Sequence, residues 1–132
     1  MNDDTDPVRK SFARARRNDL GKRFYEVLLD VSDEIAQRFA HTDLERQVQL
    51  FEHGVLMLVQ FSRGDAVGKM AIERLGRLHS RAELDIDPDF YTPWLSCLIH
   101  VLSEVDPEFD DELRDHWIET IRPGIQHMIS MY

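Results

Sequence analysis

Apolar side chains recur every three to four positions along almost the whole chain, and no stretch alternates convincingly as a β-strand does. This spacing puts the apolar residues on one side of successive helices, so it predicts an all-α protein. Thr42-Asp43-Leu44-Glu45 has the form of a capping box, and Asp87-Pro88 combines a cap with a first-turn proline. About seven helices are predicted, at roughly 7–17, 18–31, 32–39, 42–62, 66–79, 87–104 and from 110 onward, the last kinked or divided at Pro123-Gly124.

The helix predicted from about residue 66 ends in a histidine on its apolar face. Ile72, Leu75 and His79 are spaced i, i+3 and i+7, so the imidazole points inward, where leucines point. A predicted loop over 80–85 follows. An inward imidazole needs something to bond, and the neighbouring sequence offers no partner. A metal ion and a buried carbonyl both remain open as that partner.

Length, charge and cysteine content narrow the function class. The chain has 132 residues, enough for one domain with a core and a small cofactor. Its net charge of −9 argues against a nucleic acid or an anionic membrane as partner, and no apolar run is long enough to span a bilayer. Cys97, the single cysteine, excludes an internal disulfide. We therefore expect a soluble, cytoplasmic domain over 1–132 with a flexible start at 1–6.

Four residues have the order and spacing of a haem pocket: Tyr25, Phe39 fourteen positions later, Gln47, and His79 thirty-two positions after Gln47. Together with the segments 23–26 (RFYE), 75–79 (LGRLH) and 86–91 (IDPDFY), they make the chain resemble bacterial globins. The likeness is to the globin part of flavohaemoglobins and to single-domain bacterial haemoglobins. This resemblance implies a globin fold, a three-over-three helical sandwich that holds one haem b (iron protoporphyrin IX).

The resemblance also implies roles for individual residues. His79 would be the proximal iron ligand through Nε2, with Nδ1 donating to a carbonyl or to Tyr91. Tyr25 and Gln47 would donate hydrogen bonds to a gas on the distal side, although a shift by one residue would put Arg46 there instead of Gln47. Apolar walls would come from Phe39, which would wedge against the porphyrin, and from Phe51, Val55, Leu75, Leu84, Ile86, Leu95 and Ile99.

One departure from the family bears on activity. Flavohaemoglobins hold the proximal histidine with a tyrosine and a glutamate, and the glutamate would fall where this chain reads Ser130-Met131-Tyr132. Its absence favours binding, storage or sensing over fast dioxygen activation. The resemblance thus implies reversible binding of dioxygen, nitric oxide and carbon monoxide. Enzymatic oxidation of nitric oxide to nitrate stays open and would need a separate reductase.

Several alternatives remain at this stage. The chain could be a gas or redox sensor that signals through a dimer face on its last two helices, or a haem-free, globin-like domain for protein–protein interaction. Monomer and homodimer are both open. The acidic run 106–111 predicts a solvated turn and helix start, where a basic reductase could dock. His53 lies about 600° of helical rotation from Gln47, which favours a surface position over a sixth iron ligand.

Overall fold

The computed structural model describes residues 6–132, and over these residues the predicted all-α fold is confirmed. They form seven α-helices and one short 3₁₀ turn, without a β-strand. None of these helices combines the length and the apolarity that crossing a membrane requires. The helices are α1 (Pro7–Arg17), α2 (Leu20–Leu29), α3 (Asp33–Arg38), α4 (Leu44–Ser62), α5 (Ala66–Leu78), α6 (Tyr91–Val105) and α7 (Asp111–Ser130), with the 3₁₀ turn at Pro88–Phe90.

Asp6 fastens the start of α1 to the end of α4. The predicted flexible start covers residues 1–6, of which 1–5 lie outside the described residues. Asp6 is buried and caps α1 by accepting a hydrogen bond from the backbone N–H of Val8 at 3.0 Å. Its carboxylate also accepts from Nε of Arg63 at 2.8 Å. These bonds outweigh the burial of Asp6 and lower the pKa of its carboxyl group, so this residue is charged and held in place.

Of two prolines inside helices, one explains a boundary that differs from the predicted one, and the other leaves its helix undivided. The helix expected from Pro88 begins as a 3₁₀ turn, and α6 itself starts at Tyr91. Pro93 has no N–H to donate to the preceding turn, so starting at Tyr91 places it in the first turn, where no donor is needed. Pro123, in contrast, does not divide α7, which continues to Ser130.

The helices pack around one hydrophobic core. The helix α4 packs on α5 and α7, α2 packs on α6, and α5 also contacts α7. Five helices each contribute a fully buried side chain, since α2, α4, α5, α6 and α7 supply Phe24, Val55, Ile72, Leu98 and Trp117 respectively. This packing fixes the relative positions of α2, α4 and α5, which carry the predicted site residues Tyr25, Gln47 and His79.

Asp106 is a buried anchor, so the expectation of a solvated turn is wrong at this position. Its exposed fraction is 2%. The Ser11 hydroxyl donates to Oδ2 at 2.6 Å, and Arg14 donates from Nε to Oδ1 at 2.7 Å. Trp117 in turn donates from Nε1 to the Ser11 oxygen at 2.8 Å. Both side-chain donors to Asp106 come from α1, which is distant in sequence, so the local acidic run gives no sign that this carboxylate is buried.

A glycine sets the distance between α4 and α5. A Cβ atom on Gly68 would lie 2.6 Å from the backbone nitrogen of Phe61, closer than real Cβ contacts. We therefore expect Gly68→Ala to lower the free energy of unfolding by about 1–3 kcal/mol through overpacking. Gly54→Ala is the matched control in α4, because its Cβ would meet nothing within 4 Å. Urea unfolding followed by circular dichroism would contradict this account if the two variants were equally stable.

Candidate functional site

A cavity of about 1200 Å³ opens between α3, α4, α5 and the loop that follows α5. Its wall is mainly apolar, as is usual for cofactor sites. Three large apolar residues at the cavity are themselves exposed: Leu50, Leu78 and Leu84. Charged side chains in the wall are mostly cationic, namely Arg38, Arg74 and Arg77 against the single carboxylate of Glu83. A ligand that fits this cavity would bury apolar surface and place negative charge near the arginines.

His79 lines the cavity at the C-terminal cap of α5. Its side chain is half-buried, and desolvation lowers the pKa of the imidazole, so the ring is neutral near physiological pH. Nδ1 lies 3.3 Å from the hydroxyl oxygen of Tyr91, a hydrogen bond whose direction depends on the histidine tautomer. Burial raises the pKa of Tyr91 to about 12, which keeps its hydroxyl protonated. The neutral ring thus has Nε2 left to bind a metal.

The loop after His79 is tied back onto the end of α5. The backbone N–H of Ile86 donates to the His79 carbonyl at 3.0 Å, and that of Leu84 donates to Leu78 at 3.0 Å. Asp85 takes a positive φ of 50° in this loop, and its carboxylate accepts a hydrogen bond from the Tyr132 hydroxyl. These contacts hold the loop, and with it Leu84 and Ile86, against the cavity.

Tyr25 and Gln47 meet in the same cavity. Gln47 donates from Nε2 to the hydroxyl oxygen of Tyr25 at 3.1 Å, which leaves the tyrosine proton free to donate to a third group. Desolvation raises the pKa of Tyr25 to about 12, so it is a neutral donor. The Tyr25 ring packs edge-on against Phe39, with 5.6 Å between centroids, and against Phe51, at 5.8 Å. The pair is therefore one fixed hydrogen-bonding unit.

Gln47 and Arg46, the two alternatives at the distal position, take different places. Gln47 is half-buried and lines the cavity, whereas Arg46 is exposed and lies outside the cavity wall. The Arg46 backbone N–H bonds the capping carboxylate of Asp43, which fixes the register of the first turn of α4. Of these two residues, Gln47 is therefore the one that can act on a ligand.

Most residues expected at the site do line the cavity: Tyr25, Phe39, Gln47, Phe51, Leu75, His79, Leu84, Ile86 and Tyr91. Three expected wall residues do not, since Val55 is fully buried in the core and Leu95 and Ile99 pack against that core. The helices α4 and α6 that carry them are apolar on more than one side. Periodicity identifies an apolar position without separating the side that meets the core from the side that meets a cavity.

Sequence reasoning missed part of the wall. The missed residues include Leu28, Ile35, Leu50, Met57, Leu58, Trp94, Ile125, Met128 and the three arginines. The helical period carries a signal for Leu58, seven positions after Phe51, but the residues from α3 and α7 are brought in only by tertiary packing. His53 is exposed, as expected, yet it also contributes to the cavity lining.

Comparison with known proteins identifies the fold. No protein-family model matches the chain, and no curated protein matches it. A solved structure from Pseudomonas aeruginosa PAO1, described as structurally highly homologous to a human haemoglobin, is 36% identical, with a TM-score of 0.90 and 96% of each chain covered. This likeness bears out the predicted globin fold, while the narrower likeness to flavohaemoglobins stays a prediction. The chain belongs to the globin family.

Proposed function

We propose that this globin binds one haem b in the cavity and reversibly binds dioxygen, nitric oxide and carbon monoxide. The observation that carries the proposal is the composition of one cavity: a neutral histidine, His79, and a hydrogen-bonded donor pair, Tyr25 and Gln47, line the same apolar wall. We place this activity in a bacterial cytoplasm, a reducing compartment with which the buried free thiol of Cys97 is compatible.

The cavity suits a flat apolar molecule that carries carboxylates. Its volume of about 1200 Å³ accommodates a large cofactor, and the exposed Leu50, Leu78 and Leu84 would be covered by one. Arg38 bears positive charge at the wall, where it can pair with a carboxylate of the cofactor.

The donor set also suits a porphyrin rather than a bare ion. Across residues 6–132, no group of three or more His, Cys, Asp or Glu side chains could hold a metal ion. A lone histidine would nevertheless be sufficient for haem, because the porphyrin itself supplies nitrogen ligands to the iron. His79 is the ring we assign to the iron.

Each residue of the site has a defined task in this proposal. When bound, haem supplies an iron centre with an open position for a diatomic gas. His79 would hold the iron through Nε2, which keeps the proton on Nδ1 and directs it to the Tyr91 oxygen. Tyr25 would donate a hydrogen bond from its hydroxyl to the gas, while Gln47 orients that hydroxyl by donating a hydrogen bond to its oxygen. The rings of Phe39 and Phe51 pack against Tyr25 and exclude water from this part of the cavity.

The proximal side favours binding over turnover. Within residues 6–132, Tyr91 has His79 as its hydrogen-bond partner and meets no carboxylate. Tyr132, in the segment where the family glutamate would fall, bonds Asp85 instead. A histidine without a carboxylate relay pushes little electron density toward the iron, so we rank gas binding above nitric oxide oxidation. Nitric oxide consumption in the presence of dioxygen, with and without an external reductase, would separate the two.

Haem titration tests the proposal directly. Purified protein mixed with haem is expected to develop a Soret band that saturates at one haem per chain. Ligand-dependent shifts of that band with carbon monoxide would confirm an accessible gas position. A protein with native helical content but no saturable band would refute haem binding and favour the haem-free interaction domain.

Removing the distal donors should speed gas release. A hydrogen bond to a charged or strongly polar acceptor contributes about 1.5–3 kcal/mol, so Tyr25→Phe should accelerate dioxygen dissociation roughly ten- to hundredfold. Gln47→Leu should act in the same direction by freeing the Tyr25 ring. Arg46→Leu is the matched control, because Arg46 neighbours Gln47 yet lies outside the wall. Stopped-flow release rates equal in all these variants would exclude the proposed distal role.

A further inference from the structure

The outer side of α5 carries the most exposed large apolar side chains of residues 6–132. Met70 is 71% exposed and Val67 is 63% exposed. Both lie away from Ile72, which is fully buried and marks the inner side of the helix. Apolar groups this accessible, next to each other on one helix, are typical of surfaces that contact another molecule.

These two residues belong to a longer stripe. At 100° per residue, Val67, Met70, Arg74, Arg77 and Leu78 fall within an arc of about 100° on α5, here named the α5 stripe. The opposite side of the helix packs on α4 and α7. The stripe thus runs along the full length of the helix with apolar residues at both ends and two arginines toward its C-terminal half.

The charge of the α5 stripe is opposite to that of the molecule. The chain has 25 acidic and 16 basic side chains, for a net charge of −9. Arg74 and Arg77 are exposed, and neither forms an ion pair within residues 6–132, in contrast to Arg14, Arg23 and Arg63, which do. An acidic partner would therefore be repelled by most of the surface and attracted here, which selects one docking orientation.

The α5 stripe is continuous with the cavity. Arg74, Arg77 and Leu78 belong to both, and His79 follows Leu78 directly. A protein seated on the stripe would thus cover one edge of the cavity. A second copy of this chain fits the stripe poorly, because the stripe has no acidic side chain, so an isologous pairing of stripe on stripe would give its arginines no counter-charge.

We propose that the α5 stripe docks an acidic electron-transfer protein, such as a flavin- or iron–sulfur-containing carrier, which returns the haem to its ferrous state. The inference rests on the proposed function. The carrier would lose one electron and ferric iron would gain it, with no atom transferred. A short apolar stripe with a charged half matches the small, transient interfaces of electron-transfer pairs.

Binding of a purified acidic flavodoxin tests the docking face. Met70→Glu places a negative charge in the apolar N-terminal half of the stripe, and Met70 does not line the cavity, so haem content should stay unchanged. We expect this variant to weaken the calorimetric Kd about tenfold near 0.1 M salt. Lys22→Glu is the control, since it adds more negative charge on α2, a helix that does not pack on α5; it should change Kd less than about twofold.

Reduction kinetics give the second measurement. Flavodoxin hydroquinone should reduce the ferric Met70→Glu protein about tenfold more slowly than wild type, whereas dithionite should reduce both alike. Equal effects of Met70→Glu and Lys22→Glu would overturn the proposal, as would a wild-type dimer that Met70→Glu dissociates, because the stripe would then hold a second copy. Absence of a Soret band would refute haem binding and with it the electron transfer, whereas docking on the α5 stripe would still be tested by the calorimetric comparison, which does not need haem.

Discussion

A His79→Gly variant should lose its ability to retain haem, and added imidazole should restore it. His79 is the ligand we assign to the iron, and substitutions of groups that merely orient a metal ligand already reduce affinity about 10–100-fold. Loss of the ligand itself should weaken haem binding by at least about a hundredfold. Glycine is well tolerated at the C-terminal cap of a helix, so α5 should remain intact. Free imidazole can occupy the space of the missing ring.

The control for this experiment is the other histidine of the cavity. His53 lines the wall from α4 but is exposed, and His53→Ala should retain haem with the ferrous spectrum of wild type. Haem transfer to an excess of an apo-globin, followed at the Soret band with and without imidazole, measures both variants. Retention of haem by His79→Gly without imidazole would show that another group holds the iron.

Much of this site was within reach of the sequence because helical spacing is a local property. The inward position of His79 follows from its i, i+3, i+7 relation to Ile72 and Leu75, and the helix that carries it has the expected start and end. The pairing of Tyr25 with Gln47 came from the order of residues in the family rather than from periodicity. The structure now shows that the two side chains bond to each other.

The parts that escaped prediction depend on contacts between distant segments. Arg38 reaches the cavity from α3, and the periodicity of α3 alone does not indicate which neighbour it meets. Leu95 and Ile99 looked like wall residues because α6 is apolar around most of its circumference, yet they face the core. Asp106 is the clearest case, since Ser11 and Arg14, its partners, come from α1. No local pattern can distinguish such a buried carboxylate from a solvated one.

Replacing Asp106 by asparagine should lower the free energy of unfolding markedly. The carboxylate is fully shielded, its partner Arg14 is only 18% exposed, and the substitution leaves that guanidinium without its counter-charge. Removal of one member of a buried, hydrogen-bonded pair costs about 3–5 kcal/mol, and partial exposure of Arg14 puts the expected loss near the lower value. Trp117 would also lose the orientation of Ser11, its acceptor.

The pH dependence of stability provides a signature that simple loss of packing would not. Burial acts to raise the pKa of Asp106, but hydrogen bonds from Arg14, Ser11 and the backbone of Glu108 outweigh it, so the pKa lies below its usual range. Unfolded Asp titrates near about pH 4, so the contribution is complete above that value and disappears as pH falls through the lower, folded pKa. Wild-type stability should therefore fall on acidification, and that of Asp106→Asn should fall less.

Urea unfolding at a series of pH values distinguishes protonation of Asp106 from protonation of other carboxylates as the cause of lost stability. Asp111→Asn is the matched control, because its side chain lies in the same acidic run but is 94% exposed and pairs with the half-exposed Arg114. Its unfolding curves should follow those of wild type at every pH. If the free energy of unfolding of Asp106→Asn fell with acidification as steeply as that of wild type, protonation of this carboxylate would not be what destabilises the packing of α1. The contact between α1 and α7 would then be stabilised by the packing of Phe12 against Trp117, whose ring centroids are 6.4 Å apart.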